Sequence, residues 1–522
     1  MKNIHPIQVF LFLVALLGIS TSTTAQTYNY VPDSTFDVNG LKSFIYFNNI
    51  DRSYGCALQP DEKLVMTGLS KNPATGSFEL CITRLLTNGD FDTTFNADGN
   101  CFVSMGNQQS IGGMTPKVKI APDGKIVVVN SGRATGGASQ DMMICRLATN
   151  GYLDTTFNST GVVFIDMLGS NTQPDQANAL DIDANGNIYA AGVTRTGTSP
   201  LDNDFAVVKI NVNGQLDPSF DTDGKKLFNP SGLAEYGRSI KIQNDGKIVL
   251  GGNAGANMYL LRFDTTGTLD LTFNTTGTIN IAFQLSSDMG DMDIDNSGRI
   301  VIAGKLNTSN SNIATARFLP TGAPDNNYGF NGKYTFNIGG AASTITSMHI
   351  QNDYKIVLGG FNLDTAQANN FMITRIDTGG TIDLSFNTIG FVSQPVLAGN
   401  IDEEGNGMAV MNDGRIMMTG TIVFSSAVNE DIGVFRVKPV LVTGIQQPNN
   451  YTSIRPYPNP FTNELIVVSR FESAAQMSDI SGRTVLNVQL VPGMNRVDTG
   501  HLPAGVYFIN VEGEKGLKVV KN

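Results

Sequence analysis

The chain has 522 residues, 41% of them hydrophobic, with 56 Gly, 20 Pro, no Trp and a formal charge of −11. That length can bury a large core, and the acidity argues against a nucleic-acid partner, since phosphate binding needs clustered Lys and Arg. Only three His occur, so no Ser/His/Asp or Cys/His set has a candidate base beyond His349, whereas a two-carboxylate site stays open among 46 acidic residues.

Residues 1–25 read as a secretory signal peptide. Lys2 supplies the positive start, an apolar stretch runs from Val9 to Ile19, and T-T-A at 23–25 offers a small-residue cleavage site before Gln26. The run is short for a membrane span, and no other segment is expected to cross a bilayer as a helix.

From residue 26 to 438 the chain repeats itself. A turn followed by an apolar strand recurs seven times, as D-E-K-L-V-M (61–66), D-G-K-I-V-V (123–128), N-G-N-I-Y-A (185–190), D-G-K-I-V-L (245–250), S-G-R-I-V-I (297–302), D-Y-K-I-V-L (353–358) and D-G-R-I-M-M (413–418). The third residues are Lys63, Lys125, Asn187, Lys247, Arg299, Lys355 and Arg415, at steps of 62, 62, 60, 52, 56 and 60 residues. A period of this size marks a propeller, solenoid or array. Short apolar runs between D-G and N-G turns predict buried β-strands, and nothing between 27 and 440 reads as an amphipathic helix.

A second word, D-x-T-F or a close variant, begins at Asp33, Asp92, Asp154, Asp217, Asp270, Asp325 and Asp383. A basic residue stands eight positions before six of these, giving Arg84 with Asp92, Arg146 with Asp154, Lys209 with Asp217, Arg262 with Asp270, Arg317 with Asp325 and Arg375 with Asp383. Arg436 has no Asp downstream, and Asp33 has no basic residue upstream at that spacing. A linear solenoid needs polar caps; a ring needs one unit shared between its termini. The expected fold is therefore all-β: a seven-bladed β-propeller of four-stranded blades, closed by pairing of the two ends. In this reading the basic–acidic pairs clasp a turn, with Asp also accepting backbone N–H groups. An exposed pair of that kind would contribute only about 0–1 kcal/mol.

Two further features invite a chemical reading. D-I-D-A-N-G-N (181–187) places Asp181, Asp183 and Asn185 at alternate positions like the opening of a calcium loop. Position twelve is Gly192, where a bidentate acid is required, and Lys119 and Lys241 replace Asp181 in sister units. The expectation is an ordinary turn and no cofactor, with Ca²⁺ as the one metal to weigh. D-M-D-I-D-N-S-G (291–298) reads the same way. Cys56, Cys81, Cys101 and Cys145 all fall in the first two units. Core packing is expected for them, and one or two disulfides stay open in an exported protein.

Residues 439–451 read as a linker. Residues 452–522 then break the period, with strand-like E-L-I-V-V (464–468) and L-K-V-V-K (517–521) separated by Gly-centred turns, predicting a small β-sandwich. The words P-N-P-F, S-G-R, L-P-A-G-V-Y and K-V-V-K carry Pro458, Asn459, Pro460, Gly482, Gly505, Tyr507, Lys518 and Lys521. In this order they resemble the type A C-terminal sorting domain of the type IX secretion system of Bacteroidota. The resemblance implies a secreted or surface-attached protein handled by that machinery. The repeats resemble the delta-60 family, with its R-x-x-x-x-G-x-x-D-x-T-F and D-G-K-I-x-x-x-G words, which implies a propeller-like architecture and no activity.

The functional expectation is a non-enzymatic binding, adhesion or scaffold module contacting an extracellular glycan or protein. Its contact region is expected in the loops at 70–77, 131–141, 195–204 and 305–312, where the units differ most. The competing expectation is a secreted polysaccharide hydrolase or lyase with an acidic site at one face of the channel, built from a few non-repeating Asp, Glu, Arg or Tyr residues.

Overall fold

The computed structural model describes residues 26–442 and 454–522, apart from 48–49, 107, 111, 135, 171, 198–201, 308–311, 339–341, 365–367, 398–400, 425–429, 458–459, 470–471, 492 and 512–516. The segment read as a signal peptide, most of the expected linker, and Pro458 and Asn459 lie outside the described residues.

The described chain is built from β-strands, in propeller-like repeats of four-stranded antiparallel sheets. Six sheets, at 51–104, 117–165, 175–228, 235–281, 287–336 and 343–394, run as simple meanders. A further sheet joins Asp402–Val410, Ile416–Val423 and Glu430–Leu441, and its last strand is completed from the N-terminus. Leu41–Phe44 pairs with the stretch from Ile432 to Phe435, and Tyr28–Pro32 pairs with that from Val437 to Leu441.

The second and third strand of each sheet are buried along nearly their whole length, as in Ile126–Gly132 and Asp141–Leu147. This explains their unbroken apolar sequences: both faces pack against neighbouring sheets, so no solvent side demands alternation. Seven apolar clusters each combine residues of two neighbouring sheets, for instance Val249 and Leu260 with Ile300 and Ala314. The first strands converge. Each inner strand packs against that of the next sheet, and Asp402–Val410 packs against Asp51–Leu58. Convergence leaves little room: a Cβ on Gly237 would stand 2.7 Å from the Gly192 oxygen, and one on Gly405 2.4 Å from the Gly360 oxygen.

The tail folds by itself into a sheet of Ile454–Tyr457, Glu464–Ser469 and Gly493–Asp498 and another of Ser473–Asp479, Thr484–Leu490, Gly505–Val511 and Leu517–Lys521. Phe461, Leu465, Met477, Tyr507 and Val519 are buried in its core.

Candidate functional site

All seven basic–acidic pairs meet, at 2.7–2.8 Å. Unlike the exposed pairs weighed from sequence, six of the seven have both side chains less than a tenth exposed; only Asp217, facing Lys209, is more open. The carboxylate's second oxygen closes the local turn, accepting the Thr94 N–H at 3.0 Å and hydroxyl at 2.6 Å in the case of Asp92. Burial pushes the Asp92 carboxyl up, but Thr94, Lys63 and Arg84 outweigh it and hold its pKa at about 2. Each Arg lies over the ring of the same word, 4.5–5.0 Å from the centroids of Phe95, Phe157, Phe273, Tyr328, Phe386 and Phe36.

The pairs also do something their spacing did not show. Arg84, Arg146, Arg262, Arg317 and Arg436 each donate through Nη1 to a turn carbonyl of the following sheet, at Thr149, Val212, Pro320, Thr378 and Thr87, over 2.5–2.8 Å. The lysine of the turn word joins in, with Lys63, Lys125, Lys247 and Lys355 3.0–3.2 Å from the clasp carboxylates. The arginines hold sheet to sheet, and the lysines brace the clasp within a sheet. They are spent on architecture.

The residues that differ between units converge elsewhere. Six of the seven inner strands carry a β-bulge at the same place, and the extra residues are Tyr54, Asn178, Arg238, Gly290, Thr346 and Asn406. A bulge re-aims one side chain out of the pleat. All six line a single cavity of about 300 Å³, to which the strand Lys117–Ile120 adds Lys117. Flanking residues are mostly small, as in Ser53-Tyr54-Gly55, Ala177-Asn178-Ala179 and Gly405-Asn406-Gly407, because the strands crowd there.

Three bulge side chains tie one sheet to the next. Asn178 donates to the Gly237 carbonyl at 3.2 Å, Thr346 to the Gly405 carbonyl at 2.7 Å, and Asn406 to the Ser53 carbonyl at 3.0 Å. Arg238, Lys117 and Lys305 also line the cavity, and their side chains make no hydrogen bond or ion pair with a described residue. Asp288 is the one carboxylate among the described lining residues. The turn near Lys71 lies at the same end of its sheet, since Asp51 pairs with Ser70; the variable loop at 70–77 and the bulged end of the inner strand therefore open on one face.

Deeper along the inner strands the acids are occupied. Asp291 accepts the Ser239 hydroxyl at 2.8 Å and the Met348 N–H at 3.0 Å. Asp293 accepts the Ile350 N–H at 3.0 Å and faces Lys241 at 3.1 Å. Burial pushes the Asp293 carboxyl up, yet Lys241, the Ile350 N–H and His349 hold it below the ordinary carboxylate value. His349, half-exposed, has Nδ1 4.0 Å from Asp293, and burial with the Lys241 charge pulls its pKa down.

Asp181, weighed as a calcium ligand, pairs instead with Lys119 and accepts the Ile242 N–H at 2.8 Å. Asp183 accepts the Asn185 and Asn187 N–H groups at 2.9 and 2.8 Å, which is turn chemistry. Among the described residues no group of three or more His, Cys, Asp or Glu is arranged to hold a metal ion. The four cysteines are free thiols, three of them buried.

In the tail, Gly482 adopts φ +84° at the turn after Asp479, and the Tyr507 hydroxyl donates to the Pro503 carbonyl at 2.6 Å. Gly505 opens its strand. Lys521 is buried against the Phe461 ring and donates to the Thr462 carbonyl, while Pro460 and Lys518 are exposed. No helix among the described residues is long and apolar enough to cross a membrane.

Comparison with known proteins bears on both parts. A family described as a domain of unknown function (DUF5122) beta-propeller matches residues 59–95, 121–157, 184–220, 243–273 and 296–328. A secretion system C-terminal sorting domain matches residues 455–522. No curated protein matches the chain in sequence. Similar solved structures include a catalytically inactive virginiamycin B lyase from Staphylococcus aureus with quinupristin, at 10% identity and TM-score 0.43, covering 76% of this chain and 98% of that one. A PL25 ulvan lyase bound to -[GlcA(1-4)Rha3S]- is similar at 12% identity and TM-score 0.45, with 74% and 95% covered. The β-propeller domain of the Trilobed protease from Pyrococcus furiosus is similar at 10% identity and TM-score 0.39, with 78% and 100% covered. The chain carries a DUF5122 β-propeller repeat region followed by a type IX secretion sorting domain, and is a secreted or cell-surface protein.

Proposed function

We propose that residues 26–438 form a seven-bladed propeller closed by its two ends, and that this ring is a non-enzymatic binding module whose ligand enters the axial channel. Residues 1–25 would direct export to the periplasm and be removed, residues 439–451 would link, and residues 452–522 would engage the type IX machinery. The observation that carries the reading is the cavity itself: six bulge residues at equivalent positions, of five different types, all line it. Architecture repeats its residues, as the clasps do. A column that varies while its backbone geometry is kept is the pattern of recognition on a rigid scaffold. Asp288 alone supplies a carboxylate to the described lining, so the carboxylate pair of a glycoside hydrolase is not assembled there.

The test is a binding screen of extracellular glycans and peptides on the purified chain, run beside Thr344→Trp. Thr344 lines the cavity, so an indole there fills the mouth and leaves the bulge bonds in place. Stoichiometric binding that the Trp variant loses supports the reading. Binding that survives the plug, or catalytic turnover of a polysaccharide, contradicts it.

A further inference from the structure

We propose that the cavity binds an anionic oxygen ligand, a sulfate, phosphate or carboxylate group, through Lys117, Arg238 and Lys305. The proposal rests on reading the channel as the recognition site and names the ligand chemistry that the site would take.

The argument begins from charge. In a chain of net charge −11, this one cavity gathers three cations against one carboxylate. The other Lys and Arg residues of the inner strands are neutralised: Arg52 by Glu430, Lys119 by Asp181, and Lys241 by Asp293. Of the nearby acids, Asp291 accepts from the Ser239 hydroxyl and the Met348 N–H, and Asp288 is the single carboxylate on the described cavity lining. The Lys117, Arg238 and Lys305 side chains have no hydrogen bond or ion pair with a described residue.

Three positive charges facing one carboxylate across a cavity repel one another, and an anion bound between them would offset that repulsion. Burial pulls the Lys117 ammonium below its usual pKa, with Asp291 opposing and the Arg238 charge adding to the effect. The crowding of the inner strands lowers Arg238 as well, with Asp288 opposing, although the side chain reaches solvent. A bound anion would relieve both. The side-chain types fit the task as well. Arg238 offers a planar fork suited to two oxygens of one group, and its bulge fixes it toward the cavity. Lys117, from the sheet two before, and Lys305, from the sheet after, supply point charges. The volume of about 300 Å³ sits at the lower end of the range for small-ligand sites.

The test titrates the purified chain with sodium sulfate, phosphate and citrate by calorimetry and thermal unfolding, against sodium chloride at matched ionic strength. The expected result is saturable binding with a rise in unfolding temperature, since a ligand that binds only the folded state stabilises it. Arg238→Ala and Lys117→Met should each weaken binding at least about tenfold, while unfolding in the absence of anion stays at or above the wild-type temperature. A sulfated or carboxylated oligosaccharide that binds more tightly than the free anions assigns the group to a polymer; equal affinity assigns it to a free anion, and both support the site. Binding no stronger than chloride, or binding unchanged in both variants, overturns the proposal. Neutral ligands that Thr344→Trp displaces, together with indifference to anions, would leave the channel reading standing and remove this one.

Discussion

Asp33 and Arg436 belong to opposite ends of the repeat sequence and form an ion pair of 2.8 Å, each side chain only 1% exposed. Asp33 N–H also donates to the Arg436 carbonyl at 2.9 Å, and Arg436 reaches Thr87 in the first sheet. One arginine thus joins the N-terminal segment, the last sheet and the first.

Removing Asp33 therefore strands a buried guanidinium. Breaking such a pair from one side typically costs about 3–5 kcal/mol. Asp33→Ala is expected to lower the unfolding free energy by that amount, as is Asp92→Ala within a single sheet. Urea unfolding of both variants checks this; a loss below about 1 kcal/mol for Asp33→Ala would mean that the end-to-end contact does not hold the fold.

A second prediction concerns the one lysine clasp. Five arginines lie directly opposite a valine across the strand pair, at Val65, Val127, Val249, Val301 and Val357, whereas Lys209 lies opposite Tyr189. Tyr189 is 1% exposed and its ring lies 5.7 Å from the Lys209 ammonium. The larger ring fills the space that a guanidinium takes elsewhere. Lys209→Arg alone should destabilise by overpacking, and Tyr189→Val alone should leave a void. Together they should couple favourably by about 1–2 kcal/mol, which a double-mutant cycle in urea measures.

Stability should respond to pH in an unusual direction. Burial pushes Glu403 up to about 7, even though the Leu397 and Val396 N–H groups oppose it, and burial pushes Asp175 to about 7 with Asp166 and Asp141 adding to it. Asp51, Glu235 and Glu404 are raised by burial too. Between the ordinary carboxylate range and about pH 7 the native state then holds protons that the unfolded chain has released. The folded state gains stability as pH falls through that window and changes little above it. His349, lowered by burial, opposes the trend as a single group. Below the window the clasp carboxylates, with Asp92 and Asp217 near 2, protonate and stability is lost. Unfolding temperatures recorded from pH 8 to pH 3 should pass through a maximum on the acid side of neutrality, and Glu403→Gln should flatten the rise.

The thiols give a simpler test. Burial pushes Cys56 to about 12 and Cys101 to about 11, so little thiolate exists near neutral pH. A thiol reagent at mildly alkaline pH should leave the native chain unmodified and label all four cysteines once urea unfolds it. Reductant should not change the unfolding temperature.

Much of the scaffold was legible because its residues repeat. The turn word and the Asp word mark each sheet, and Arg with Asp eight positions apart announce a contact that the structure forms. What the Arg does next was hidden, since its Nη1 bond runs to the following sheet and no local spacing encodes it. The cavity was hidden for a different reason. Tyr54, Asn178, Arg238, Gly290, Thr346 and Asn406 share no chemistry, and only a one-residue bulge makes them equivalent. Each nevertheless stands nine positions before the third residue of a turn word, between mostly small neighbours. Reading the column that varies, in place of the columns that repeat, would have found it. The loops at 70–77, 131–141, 195–204 and 305–312 were the expected contact region; the converging variable residues lie on the inner strands, at the end of the sheet where the first of those loops opens.

The most direct measurement is anomalous scattering from crystals of this chain soaked in selenate. The account predicts a selenium peak in the channel, within hydrogen-bonding distance of Arg238 and Lys117, which Arg238→Ala abolishes. Peaks confined to the outer surface, with the space between Lys117, Arg238 and Lys305 holding only water, would contradict it.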